Sequence, residues 1–391
     1  MSARALPRSV VRPARVLALA ARTMACPTAP YREGNVIAWV RAFVKRQPHL
    51  RLDEDASGNL SLRRRGVRAT PTPLVLGAHM DHPGFRALAC RRVADGFRVD
   101  ALFLGGVARS CFPGARARFF DARGIGTAAR ATAARPDAKS GELRVRLTSR
   151  RPIAPGSFGV WDLPGFRRSA RDPDLLETRA ADDLAGVAGI LAAMELVDRI
   201  DPARRVDLRA LLTRAEEVGF VGAIAAARSG VLPRGARIVA IEASRALPHA
   251  PQGAGPILRV GDRTSVFDDG LTRWLARVAT ELAGPKGNRF AWQRRLMDGG
   301  TCESTAYQLH GYRCAALCIP LGNYHNMSER GRIALESVRL GDLVGLVRWF
   351  EGMIRRDADC PRAGATDPLH ARLGARFRRA RRDLARDPFA A

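Results

Sequence analysis

Lysine is nearly missing from this chain. Only Lys45, Lys139 and Lys286 occur among 65 basic residues, so arginine carries almost all of a formal net charge of +27 over 391 residues. Aromatic residues are scarce at 6%. They do not interleave with basic residues, and no recognised nucleic-acid module occurs, so nucleic acid is not expected as a partner. The seven cysteines (Cys26, Cys90, Cys111, Cys302, Cys314, Cys318, Cys360) contain no C-x-x-C pair. That odd set weighs against structural disulfides and a thiolate zinc site, and it reads as free thiols of a cytoplasmic protein. No apolar run approaches the ~18 residues of a membrane span, and the most signal-like stretch, 16–25, is broken by Arg22, so no membrane association is expected.

What is present suits a globular protein: 46% hydrophobic and 26% charged residues can build a large core, and the length calls for roughly two to three domains. The positive charge is localised. Residues 1–25 carry five arginines and no acid, 372–391 carry seven arginines and two aspartates, and 87–171 carry 17 basic and 6 acidic side chains. These three segments hold 21 of the 27 net charges, which leaves the remaining stretches close to balance.

Strand and helix signals alternate on both sides of the basic middle segment, which argues an α/β fold. Leu74 to Ala78 is a short apolar run of the kind a buried parallel strand shows, and it ends at His79-Met80-Asp81. Leu184 to Val197 keeps apolar residues three to four apart behind Asp182-Asp183, as a helix does. Further strands are expected at 206–212, leading to Glu216-Glu217 and a small-residue helix, at 238–241 before Glu242, and at 315–319 before His325. Ligands of open α/β sheets bind beyond the carboxyl ends of the strands, so these four exits are expected to converge on one site. The middle segment reads instead as short β pieces with Gly/Pro punctuation. The expected organisation is an α/β domain of residues 26–86 and 172–359, a small β domain of 87–171 inserted into it, and arginine-rich tails at 1–25 and 360–391. The second tail contains a potential basic amphipathic helix through Leu373, Phe377, Ala380 and Leu384.

The candidate chemistry lies at the strand exits. Singly, each residue has an ordinary structural explanation: a strand-end histidine, a helix cap at Asp182-Asp183, a solvated acidic turn at Glu216-Glu217. Jointly, His79, Asp182, Glu217, Glu242 and His325 supply two imidazoles and three carboxylates, a donor set for two borderline divalent ions such as zinc, with cobalt or manganese as alternatives. Three negative ligands against two dications leave a charge of about +1, which would acidify a bridging water. Asp81 is a candidate to orient His79, and adjacent acids can divide labour, one binding a cation and the other accepting a proton. His82 is a rival ligand restrained by Pro83. Cys302 is read as a packing residue rather than a nucleophile.

The succession His79-Met80-Asp81, Ala181 to Val187, Glu216-Glu217-Val218-Gly219, Ile241-Glu242, Gly299-Gly300-Thr301 and Tyr324-His325 resembles the TET-type glutamyl/leucyl aminopeptidases, dinuclear metallopeptidases of the zinc exopeptidase clan, over about residues 26–350. The resemblance implies a zinc-exopeptidase-like mixed sheet flanked by helices, an inserted small β-barrel-like domain that joins copies into homo-oligomers, and a peptide substrate cleaved at its amino terminus. It implies that His79 and Glu242 help hold one metal, that Glu217 and His325 hold the other, that Asp182 bridges them, and that Glu216 is the general base for a water between the two metals, with Asp81 assisting. The chain departs from the pattern at His82-Pro83, at Cys302-Glu303 and in having Glu242 where aspartate is commoner. A deacylase of small N-acyl amino acids built on the same metal core is the alternative.

Overall fold

The computed structural model describes residues 6–138, 141–287, 289–361 and 368–384. Helices α1 (Pro13–Met24) and α2 (Gly34–Lys45) precede β1 (Leu50–Glu54), β2 (Leu60–Arg64) and β3 (Leu74–His79). The chain then forms β4 (Gly84–Val93), β5 (Gly96–Leu104), β6 (Arg116–Phe120), β7 (Gly126–Pro136), β8 (Leu143–Ser149) and β9 (Phe158–Trp161), which close into a barrel in the order β4-β5-β8-β7-β6-β9. After β10 (Phe166–Arg168) and β11 (Leu175–Thr178) come α3 (Leu184–Ile200), β12 (Leu208–Thr213), α4 (Val221–Ser229), β13 (Arg237–Arg245), β14 (Ile257–Gly261), α5 (Asp269–Ala283), β15 (Gln293–Leu296), α6 (Glu303–Leu309) and β16 (Arg313–Leu321). The last elements are β17 (Glu336–Arg339), α7 (Leu340–Arg355) and α8 (Pro368–Leu384).

The main sheet runs β1-β2-β12-β3-β13-β16-β14-β15, and its centre, β12, β3, β13 and β16, is parallel. These four strands are buried along most of their length, which is why they read as continuous apolar runs rather than alternating ones. Helix α3 is buried almost all round, packing on one face of the sheet and against α1 and α7. The barrel has its own aromatic core, in which Phe85, Phe103, Phe112 and Trp161 meet edge to face or tilted at centroid separations of 4.9–6.2 Å. Such pairs add about 0.5–1.5 kcal/mol beyond burial. A mixed α/β fold carrying an inserted closed barrel is the class expected from the sequence.

One expectation is corrected. Residues 13–24 are not a tail: Val16, Leu19, Ala20, Thr23 and Met24 are buried, three to four positions apart, and Arg15 pairs with Glu195 of α3 at 2.7 Å. The arginine count of this segment hid a helical stripe, because Arg12, Arg15 and Arg22 stand outside that stripe. At the other end, α8 forms with Leu373 and Phe377 exposed, and the side chain of Leu384 lies outside the described residues.

Candidate metal centre

Each strand exit delivers its polar residue to one place because β3, β12, β13 and β16 run the same way. His79 closes β3, Glu216 and Glu217 occupy the turn after β12, and His325 follows β16. Glu242 stands inside β13, which continues to Arg245, rather than beyond it. Asp182 precedes α3, whose first turn is capped by the Asp183 carboxylate accepting from the Gly186 amide at 3.1 Å.

His79 Nε2 lies 3.4 Å from Asp182 Oδ1 and 3.9 Å from both Glu216 Oε2 and Glu242 Oε2. His325 Nε2 lies 3.2 Å from Glu217 Oε1 and 3.6 Å from Asp182 Oδ2. Two groups of ligand-type atoms result, His79–Asp182–Glu242 and Asp182–Glu217–His325, joined by the two oxygens of Asp182; Glu216 also approaches His79 and Glu217. All five sequence-derived ligand candidates and Glu216 thus meet in one cluster.

The residues fit a pair of cations. Asp182 Oδ1, Glu217 Oε1 and Glu242 Oε1 are buried without a hydrogen-bond partner, an expensive state for carboxylate oxygens unless a cation completes them. Both imidazoles have Nδ1 against a backbone carbonyl, that of Asp81 at 3.2 Å and that of Gly106 at 2.7 Å. Donation from Nδ1 leaves Nε2 with its lone pair aimed into the cluster, the arrangement of a metal-bound histidine.

The electrostatics agree. Burial raises Glu242 to about 8 and Glu216 well above the ordinary carboxylate range, with neighbouring carboxylates adding to the rise and His79 opposing it. Burial alone would lower the two imidazoles, yet Glu216, Asp182 and Asp81 raise His79, and Glu217 and Asp182 raise His325. The cluster therefore carries more negative charge than its histidines balance.

Asp81 is placed differently from its expected role. Its buried carboxylate accepts the backbone amides of Glu216 at 2.9 Å and Glu217 at 3.1 Å, while Oδ1 stays 3.6 Å from His79 Nδ1. It holds the acidic turn first and the imidazole second. His82 is no ligand, because its Nδ1 faces the Asp182 carbonyl at 2.7 Å and its Nε2 faces Asn326 Oδ1 at 3.0 Å. Cys302 is buried beside Ala240, Phe267 and Ala316, and burial pushes its thiol up to about 12, which leaves it unreactive.

Several contributors carried no sequence signal. Glu33, fully buried, accepts from Arg214 Nε at 2.7 Å and from the Ala215 amide at 3.1 Å, bracing the turn that bears Glu216. Arg259 is 4% exposed and donates from Nη1 to Ser244 Oγ at 3.1 Å, while its Nε has no partner. The metal-ligand candidates open on a cavity of about 230 Å³ walled by Ser244, Arg245, Arg259, Met297, Gly299 and Tyr324. Tyr324 stacks on His325 at 3.8 Å, and Arg245 covers its other side at 5.2 Å.

A two-lobed set of histidines and carboxylates at the carboxyl edge of a parallel sheet is the donor set that a metallohydrolase uses. Residues 148–338 match the M42 glutamyl aminopeptidase family, a likeness that together with the fold supports a metal-dependent aminopeptidase. Among solved structures, the TET aminopeptidase of the marine sediment archaeon Thaumarchaeota archaeon SCGC AB-539-E09 is similar at 19% identity, covering 88% of this chain and 97% of its own, with a TM-score of 0.72. The Pyrococcus horikoshii TET1 peptidase, which assembles into a tetrahedron or a large octahedral shell, is similar at 20% identity over 87% and 99%, with a TM-score of 0.70. A Thermotoga maritima protein named endoglucanase shares the fold at 16% identity over 86% and 97%, with a TM-score of 0.59. No curated protein sequence matches the chain. Among the described residues no helix is long and apolar enough to cross a membrane.

Proposed function

We propose that this aminopeptidase works with two divalent cations, zinc being the ion its donor set suits best. The observation that carries the reading is the pair of three-ligand groups sharing Asp182, with orphaned carboxylate oxygens in both. His79 and Glu242 would hold one cation, Glu217 and His325 the other, and Asp182 would give one oxygen to each. Bound cations would polarise the scissile carbonyl and acidify the attacking water. Glu216 takes the proton of that water and returns it to the leaving amine. Asp81 positions Glu216 through its amide rather than touching substrate.

The cavity favours a substrate that brings negative charge. Arg259 lines it with no carboxylate in ion-pair contact among the described residues, so its guanidinium, though favoured in its charged form by the more distant Glu242 and Asp262, has a face to offer an anion. Peptides with an amino-terminal glutamate or aspartate fit this demand. Seven free cysteines support a reducing, cytoplasmic setting, and the inserted segment 87–171, which holds most of the barrel, is the surface through which copies would join into a homo-oligomer.

The test combines metal content by plasma mass spectrometry with hydrolysis of aminoacyl-p-nitroanilides before and after chelation. About two equivalents of metal and chelator-sensitive cleavage are expected. Cleavage that survives complete metal removal would sink the reading. Turnover of N-acyl amino acids without aminoacyl-anilides would transfer it to a deacylase, and hydrolysis of a β-glucan alone would transfer it to glycoside chemistry.

A further inference from the structure

We propose that His82 is a positioning residue that ties together the two loops bearing Asp182 and His325, and so sets the cation position made by Asp182, Glu217 and His325. The inference rests on the metal-centre reading above for the cation alone, not for the reaction.

His82 is 2% exposed and lies 100 residues from Asp182 and 244 from Asn326 in sequence, yet one ring touches both. Its Nδ1 faces the Asp182 backbone carbonyl at 2.7 Å. Its Nε2 faces Asn326 Oδ1 at 3.0 Å, with Glu336 Oε1 at 3.9 Å, and the orientation of that amide is fixed because Asn326 Nδ2 donates to the carbonyls of Arg179 and Ala334, each at 3.0 Å; both ring nitrogens thus meet oxygen acceptors, and bonding to both takes an N–H on each. From the other side, Glu336 Oε2 accepts the amides of Ala181 at 2.7 Å and Asp182 at 3.2 Å. The backbone of the shared ligand is thus gripped at its amides by Glu336 and at its carbonyl by His82.

The loop at the other end of the ring needs such a grip. Asn323, His325 and Asn326 all have left-handed backbone, with φ of +53°, +52° and +62°. Non-glycine residues persist there only where surrounding contacts over-determine them. Three side chains supply those contacts: Asn323 Nδ2 donates to the Leu335 carbonyl at 2.8 Å, His325 Nδ1 to Gly106, and Asn326 is held by its two carbonyls and by His82. Asn326 is the residue next to the ligand, and His82 is what fastens it to Asp182. The His79–Asp182–Glu242 group takes its other two members from β3 and β13, which pair directly in the sheet, so it depends less on the ring.

The experiment titrates Zn²⁺ calorimetrically into the chelator-stripped full chain, and Co²⁺ with visible absorption, for the native protein, His82→Leu, His82→Asn and His82→Gln. Circular dichroism and melting in chelator report folding. The native protein is expected to take two equivalents. His82→Leu is expected to keep the first within about threefold and to weaken the second about 10- to 100-fold, the range for losing an outer partner of a ligand. Its cobalt spectrum should then report one site. His82→Asn, whose amide can still meet the Asp182 carbonyl, and His82→Gln, whose amide can still meet Asn326, should each recover part of the second affinity, and they carry the test if the leucine variant does not fold. Two equivalents bound by folded His82→Leu with native affinities would overturn the proposal, as would equal weakening of both. A native protein that takes up no metal would instead overturn the metal-centre reading itself, and His82 with it.

Discussion

Replacing Asp81 by asparagine tests whether this residue holds the acidic turn or serves His79. The side chain is fully buried, and its two oxygens accept separate amides at 2.9 and 3.1 Å. Asparagine keeps one acceptor and turns an NH₂ toward the other amide, so one charged hydrogen bond is lost, about 1.5–3 kcal/mol, and one buried donor is left unpaired, about 1–3 kcal/mol. Removing the charge offsets part of this, because Asp81 raises the carboxyls of Glu33 and Glu216. A net loss of about 2–4 kcal/mol is expected. At about 2.1 cal/mol/K per residue, a chain this long shifts its midpoint about 1.2 °C per kcal/mol, which makes the fall in Tm about 2–5 °C. Glu216 then loses its fixed place, and kcat should drop at least about tenfold with KM little changed, because a displaced base fails in the transition state rather than in binding. Metal equivalents should stay native, since His79 Nδ1 keeps its contact with the Asp81 carbonyl. Scanning calorimetry, metal analysis and steady-state kinetics on one preparation decide the matter. An activity loss that tracks lost metal would show that Asp81 serves His79, and native Tm with native kcat would refute both roles.

Glu216→Gln should lower kcat about 10²- to 10⁴-fold while binding metal normally, and kinetics with metal analysis on the same sample would show it. For the metal-free protein, Glu242 keeps to about 8 a proton that its unfolded form releases near 4.5, so its contribution falls as pH rises between those values. The raised histidines act in the same direction, because stability they give at low pH is lost as they deprotonate; Asp182, lowered, weakens the fold only in acid. Melting in chelator should therefore occur at lower temperature at pH 8 than at pH 5.5, and saturating Zn²⁺, which displaces those protons, should reverse the order. Arg259→Ala should cut kcat/KM for glutamyl-p-nitroanilide relative to leucyl-p-nitroanilide at least about tenfold; an unchanged ratio would remove Arg259 from specificity.

Much of the architecture was legible because it is written in local patterns. Continuous apolar runs marked the parallel strands β3, β12, β13 and β16, the three-to-four spacing after Asp182-Asp183 marked α3, and a change to short alternating pieces marked the barrel. The candidate ligands were legible because each follows or ends such a run. What stayed hidden was long-range. Glu336 in β17 looks ordinary until folding sets it on the amides of Ala181 and Asp182, as does Asn326 until it meets the His82 ring that faces the Asp182 carbonyl, and Arg259 is one arginine among many until burial singles it out. Helix α1 is masked in the sequence for a different reason: the arginines of residues 1–25 obscure the three-to-four spacing of Val16, Leu19, Ala20, Thr23 and Met24.

The proposed metal centre lies where the chain passes from the main sheet into the barrel. Between the end of β3 at His79 and the start of β4 at Gly84 lie only Met80, Asp81, His82 and Pro83, so the hinge between the two modules is also the segment that braces the Glu216 turn and the Asp182 loop. The loop after β5 closes back on this hinge: Gly105, at φ +108°, sits where an added Cβ would come within 2.8 Å of Pro83, and the next carbonyl, that of Gly106, receives His325 Nδ1–H. Any side chain at position 105 pushes against Pro83 and moves Gly106 with it. Displacing that carbonyl would free the imidazole to turn and would cost the proposed position made by Asp182, Glu217 and His325 its orientation. The proposed metal centre thus draws on the inserted segment as well as on the main sheet, through the contact of His325 Nδ1 with the Gly106 carbonyl.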